Sequence, residues 1–346
     1  MLLAFSKTLL LGLVAALICV WLKSPLPWMI GPLLATALCR MSGADLRSPP
    51  AARAAGQWVI GTALGLYFTP AVAHIVNSFA AYILLAVLVS ILIGIVCGWL
   101  LHRLSGIDTC TSFFAMAMGG ASEMANQGER HGAQVDKVAA AHSLRIMLVV
   151  LVIPFGFRLW EVHGQDPYVQ GAATVMLGGL LLLIAATLCG ALLMQRFDLP
   201  NAWVMGPLLV ATGLSYAEIN LSALPQSVIN AGQILIGISL GTRFQPSFLK
   251  AAPRYLASVA LCSTVALLLA ALSGMTLAAW SGIHAATAIL ATAPGGIAEM
   301  SLTAKTLQLG VPIVTAFHVT RMVVLVLIIG PLFVFVQRWT KRSAIK

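Results

Sequence analysis

Two pairs of basic residues sit where an apolar chain should least tolerate them: His142-x-x-Arg145 and His318-x-x-Arg321, at a shift of 318 − 142 = 176. A spacing of three puts both members of a pair on one helix face. An arginine near the centre of a membrane span costs about 2.5 to 3.5 kcal/mol on insertion scales, so each must face water, a ligand or a protein partner. Ahead of each pair, at the same shift, lie Gly119-Gly120-Ala-Ser-Glu123-Met124 and Gly295-Gly296-Ile-Ala-Glu299-Met300. A Gly-Gly turn between short helices aims free N–H groups and a positive helix end into a cavity, with the glutamate close by. Guanidinium and N–H donors together suit a small anionic or zwitterionic solute. Glu123, Glu299, His142 and His318 are candidates for proton or sodium coupling. The bland reading stays open beside this one, with each arginine tied to Glu123 or Glu299 for structure alone and the glycines forming a plain loop.

A third repeated motif is Trp28-Met-Ile-Gly31-Pro32-Leu-Leu, which returns as Trp203-Val-Met-Gly206-Pro207-Leu-Leu at 206 − 31 = 175. Proline removes a helix hydrogen bond, so Gly31-Pro32 and Gly206-Pro207 are expected to interrupt short spans, a pointer to a binding site or else a packing kink. Gly61-x-x-x-Gly65 and Gly237-x-x-x-Gly241 read as close helix contacts.

The elements that position these groups must be membrane helices. Of 346 residues 60% are hydrophobic and 9% charged, with a mean hydropathy of +0.97, whereas soluble domains are about 25% charged. Stretches such as Phe79 to Leu101, Ala173 to Leu193 and Val311 to Val336 reach the roughly 20 residues a span needs. The first 22 residues resemble a secretory signal, but no small-x-small cleavage site follows. They are expected to remain as the first span. The six cysteines lie singly in apolar segments, which indicates neither disulfides nor zinc. The seven histidines, His74, His102, His131, His142, His163, His284 and His318, are scattered, so no metal, cofactor or enzyme activity is expected. The formal charge of +10 is spread over span ends instead of forming a nucleic-acid patch, and reflects membrane orientation.

Gly56, Gly61, Gly65 and Pro70 match Gly232, Gly237, Gly241 and Pro246. The chain is therefore read as a duplication, 1–160 and 170–346, joined by a linker at 161–169. Equivalent loops carry opposite charge. Arg40, Arg47 and Arg53 face an equivalent stretch, 216–226, without Lys or Arg, while 67–78 lacks the Arg243, Lys250 and Arg254 of its partner region. By the positive-inside rule the halves are inverted. Inversion needs an odd number of crossings, and each half has six apolar segments, so one should be re-entrant or broken. The Gly-Gly segments, 107–126 and 283–304, are the candidates. The expected fold class is all-α and polytopic, with five spans plus one re-entrant element per half, ten spans in all, and both termini cytoplasmic.

On the Trp-x-x-Gly-Pro, Gly-Gly-x-x-Glu-Met and His-x-x-Arg motifs the chain resembles the AbrB-type membrane protein family along essentially its whole length. The resemblance implies a duplicated bacterial inner-membrane protein of a group variously labelled regulators of gene expression, ammonia monooxygenases or transporters. The layout is also similar to cation–anion antiporters and to citrate or glutamate carriers, in which such elements form a mobile transport domain; a homodimer, common for such folds, is left open. The expected function is a secondary transporter of a small solute by alternating access, with membrane lipid, the solute and a coupling proton or sodium ion as its partners and no nucleic acid. The rival is a membrane-embedded regulator or sensor that binds without transport.

Overall fold

The computed structural model describes residues 2–162, 164, 168, 174–244 and 253–343. His163, Pro246, Lys250 and most of the 161–169 linker lie outside the described residues. Among the described residues there are fifteen helices and no strand.

The helices are α1 (Leu2–Trp21), α2 (Pro27–Met41), α3 (Pro50–Gly65), α4 (Pro70–Ser78), α5 (Ala80–Ser105), α6 (Thr109–Met116), α7 (Ala121–Arg130) and α8 (Val135–Leu159) in the first half. The second half holds α9 (Leu177–Arg196), α10 (Ala202–Tyr216), α11 (Gln226–Gly241), α12 (Pro253–Ser281), α13 (Ala285–Thr292), α14 (Ile297–Leu307) and α15 (Val311–Ser343). Helix is the only secondary structure that lets an isolated apolar segment satisfy its own backbone in hydrocarbon. Six helices are long and apolar enough to cross a bilayer, within α1, α5, α8, α9, α12 and α15. The protein is therefore a multi-pass helical membrane protein.

The ten full spans expected from the sequence are not all matched by full-length helices. The helices α2 and α10 have 15 residues and α3 and α11 have 16. At 1.5 Å per residue that is about 22 to 24 Å, short of a roughly 30 Å core. A left-handed residue opens α2 and α10, Leu26 at φ 47° and Asn201 at φ 52°, and this delays each helix start. After α3 the chain bends by 89° into α4.

Two compact units result, and neither coincides with a sequence half. The first comprises 1–79, 150–251 and 297–315, the second 80–149, 252–296 and 316–346.

The first unit is built on glycine-mediated crossings that the two halves exchange. A Cβ on Gly61 or Gly65 of α3 would meet the Val204 or Leu208 carbonyl of α10. In return, a Cβ on Gly237 or Gly241 of α11 would lie 2.5 Å from the Met29 carbonyl or 2.7 Å from the Leu33 carbonyl of α2. The α3 and α11 helices meet each other at Gly56, whose Cβ would stand 2.7 Å from the Gly232 carbonyl. Equivalent positions thus make reciprocal contacts. Apolar clusters fill in around these crossings, Ala16 with Ile234 and Ile238, and Leu66 with Leu183 and Ala211.

The Gly-Pro steps do not break their helices. Both α2 and α10 run through Pro32 and Pro207. Gly31 lies against α1, where an added Cβ would be 2.5 Å from the Ala15 carbonyl, and Gly206 lies against α9, 2.5 Å from the Gly190 carbonyl. The step serves close packing, because a neighbouring backbone occupies the space a side chain would need.

In the second unit α5 packs on α12, α6 on α5, and α13 on α12. Gly98 of α5 faces the α6 backbone at Phe113, and Gly274 of α12 faces the α13 backbone at Ile289. These two contacts are again equivalent at a shift of 176.

Candidate functional site

Each Gly-Gly segment is a helix that stops and restarts. The first stops with α6 at Met116 and restarts with α7 at Ala121; the second stops with α13 at Thr292 and restarts with α14 at Ile297. The stopping residues, Ala117 (φ −57°, ψ 135°) and Ala293 (φ −55°, ψ 143°), have the same extended geometry. None of Gly119, Gly120, Gly295 and Gly296 takes a positive φ. At Gly120 the requirement is space, since a Cβ there would collide with the folded-back carboxylate of Glu123.

A helix that ends inside protein leaves carbonyls without partners. The His-x-x-Arg pairs supply the missing donors. Arg145 donates from Nη1 to the Ala117 carbonyl at 3.0 Å, and His142 Nε2 donates to the Phe114 carbonyl at 3.0 Å. At the second break Arg321 donates to the Ala293 and Gly295 carbonyls, both at 2.7 Å, and His318 Nε2 to Leu290 at 2.9 Å. Within each pair the arginine Nη2 reaches the histidine Nδ1 at 2.9 Å. Guanidinium can only donate and a carbonyl can only accept, so each imidazole is the neutral Nε2–H tautomer. A cation at the C-terminal end of a half-helix also opposes the negative end of its dipole.

The clamp residues are buried, with Arg145 3% exposed and Arg321 6%. Arg145 Nε has no hydrogen-bond partner. The second unit therefore holds two guanidinium charges in its interior. A small apolar pocket in this unit borders the first break, lined by Gly94, Phe113, Ala117, Met118, Leu325 and Ile329.

Of the residues singled out from sequence, the second unit gathers Gly119, Gly120, Glu123, His142, Arg145, Gly295, Gly296, His318 and Arg321. Glu123 is in the first turn of α7 and half-buried. Glu299 is in the first turn of α14, buried, and belongs to the first unit with Gly31, Pro32, Gly206 and Pro207. Sequence reasoning missed the carbonyls of Phe114, Ala117, Leu290 and Ala293 as the clamps' acceptors. No sequence signal marked them, and the common offset of 28 residues from Phe114 to His142 and from Leu290 to His318 emerges only from the hydrogen bonds. It also missed an aromatic group around the first break, with Phe113, Phe114, His131 and Phe333 rings 5.2 to 5.5 Å apart. Among the described residues no three His, Cys, Asp or Glu side chains gather into a metal-binding group.

Residues 28–337 match the family described as "Transition state regulatory protein AbrB". The chain is 28% identical over 337 residues to "Uncharacterized protein YhjN" of Bacillus subtilis (strain 168), covering 88% of this chain and 86% of the relative. It is 27% identical over 330 residues to "Putative regulator AbrB" of Escherichia coli (strain K12), covering 92% and 93%.

Proposed function

The chain belongs to the AbrB family, and from that premise we propose that it is a secondary carrier of the bacterial inner membrane, with both termini cytoplasmic, moving a small anionic or zwitterionic solute by alternating access. The observation that carries this reading is the pair of arginine-sealed helix breaks at equivalent positions. Broken helices in matching places of duplicated halves are the usual architecture of a carrier's binding site. Two buried guanidinium charges make the interior of the second unit electropositive, which favours an anionic group on the solute. Loop charges and the reciprocal glycine contacts support inverted halves. The unit holding the breaks is then the transport body, and the glycine-packed unit the scaffold.

Coupling to protons or sodium is assigned to Glu123 and Glu299. The histidines are left out, because His142 and His318 must each keep Nδ1 unprotonated to accept from an arginine. On this reading the chain is not an enzyme and uses no cofactor.

The test is flux into proteoliposomes across a panel of small carboxylates and amino acids, under imposed proton and sodium gradients. Saturable uptake of at least one solute is expected, falling at least tenfold in R145K and R321K. Absence of uptake of any solute by folded protein overturns the carrier.

The regulator reading is favoured by the wording of the family description and of the E. coli relative's name. An expression phenotype on deletion that R145K and R321K both restore to normal would decide for it.

A further inference from the structure

One end of the second unit carries cations that the duplicated fold does not need. Arg103, at the end of α5, lies 5.5 Å from the ring centroid of Trp99, and Trp99 is 57% exposed. Arg254, at the start of α12, donates from Nε to the Leu104 carbonyl at 3.2 Å, which brings its guanidinium to the end of α5. Lys137, at the start of α8, lies 5.9 Å from the Tyr255 ring, and the Tyr255 hydroxyl donates to the Lys137 carbonyl at 2.9 Å. None of these three cations forms an ion pair among the described residues. The carboxylate of Asp108 at this end is held by the Thr111 N–H at 2.7 Å and the Gln134 amide at 3.1 Å.

The sequence-equivalent positions of the other half are Met275 for Trp99, Ala279 for Arg103, Ile313 for Lys137, Ser78 for Arg254 and Phe79 for Tyr255. Each equivalent is uncharged. Helix packing is met in both halves, so packing does not demand these cations; their one-sidedness follows the loop-charge pattern and puts them at the basic membrane face. The cluster belongs to one end of one unit. An exposed tryptophan at a span end marks the level of lipid headgroups, and basic side chains held there attract anionic ones.

We propose that Arg103, Arg254 and Lys137, with Trp99 beneath Arg103, form a binding site for the headgroup of an anionic phospholipid. Arginine supplies the fork that fits a phosphodiester, and the Trp99 face carries the adjoining glycerol and acyl start. The cluster ties the end of α5 to the starts of α8 and α12, so a bound headgroup braces three helices of the unit.

The test measures binding of phosphatidylglycerol and phosphatidylcholine to purified protein by native mass spectrometry, with inorganic phosphate as competitor. Preferential phosphatidylglycerol binding is expected, weakened about 30-fold in R103Q/R254Q, since each basic side chain near an anionic leaflet contributes about 1 kcal/mol. The charge-retaining R103K/R254K variant controls for folding and should keep most of the binding. Equal binding of both lipids, undiminished binding in R103Q/R254Q, or displacement by millimolar phosphate overturns the site. Solute flux in R103Q/R254Q is read separately, so loss of lipid binding with flux retained leaves the carrier standing.

Discussion

At the scale of single residues the organising fact is that the buried arginines serve backbone carbonyls. Replacing Arg145 with lysine keeps a charge but loses the planar fork that reaches both the Ala117 carbonyl and His142 Nδ1. R145Q should destabilise the protein by about 1 to 3 kcal/mol, the cost of stranding buried acceptors, read as a lower unfolding midpoint in detergent; an unchanged midpoint would remove the clamp's structural role. Asp108 offers a pH test outside the spans. Its burial alone would raise its pKa, but hydrogen bonds from Thr111 and Gln134 prevail and lower it. A depressed carboxylate adds stability above the unfolded value of about 3.9, lost as pH falls through the lower folded value. D108N should therefore flatten the acid limb of a stability profile below about pH 4, and an unaltered limb would refute the assignment. His-x-x-Arg pairs were legible in the sequence because charge in an apolar helix demands a partner. Their acceptors were not, since carbonyls carry no residue signature.

At the scale of elements, close approach explains most of the repeated glycines. Adding a methyl at Gly61 or Gly237 forces it against a neighbouring backbone carbonyl, which cannot rotate away. G61A and G237A should each cost about 1 to 3 kcal/mol, with similar values because the sites are equivalent. Gly213 has open space around it, so G213A should be neutral or slightly stabilising. Thermal unfolding of the three variants side by side checks the ordering. The Gly-x-x-x-Gly reading from sequence was correct as packing, and the Gly-Gly breaks were legible from composition. The Gly-Pro steps misled: proline lacks a donor, but α2 and α10 run on through Pro32 and Pro207, and Gly31 and Gly206 each lie tightly against a neighbouring helix. Helix lengths were the other gap, because the left-handed turns at Leu26 and Asn201 are set by neither hydropathy nor a glycine.

At the scale of the whole molecule, the duplication visible in sequence is not the division seen in space, for each compact unit draws segments from both halves. Hydropathy and motif spacing report which segments are related, whereas the choice of packing partner depends on complementary surfaces that no periodicity encodes. The proposed inverted arrangement predicts that single cysteines placed at Arg47 and Glu218, in a background without the native six cysteines, react with an impermeant reagent from opposite sides of the membrane; labelling from one side would sink it. The glycine exchange between α3 and α10, and between α11 and α2, has a further outcome. A polypeptide comprising one half offers notches for a partner's backbone but cannot fill its own, so it is sticky until a second copy arrives. Two such pieces made separately should find each other and rebuild these crossings.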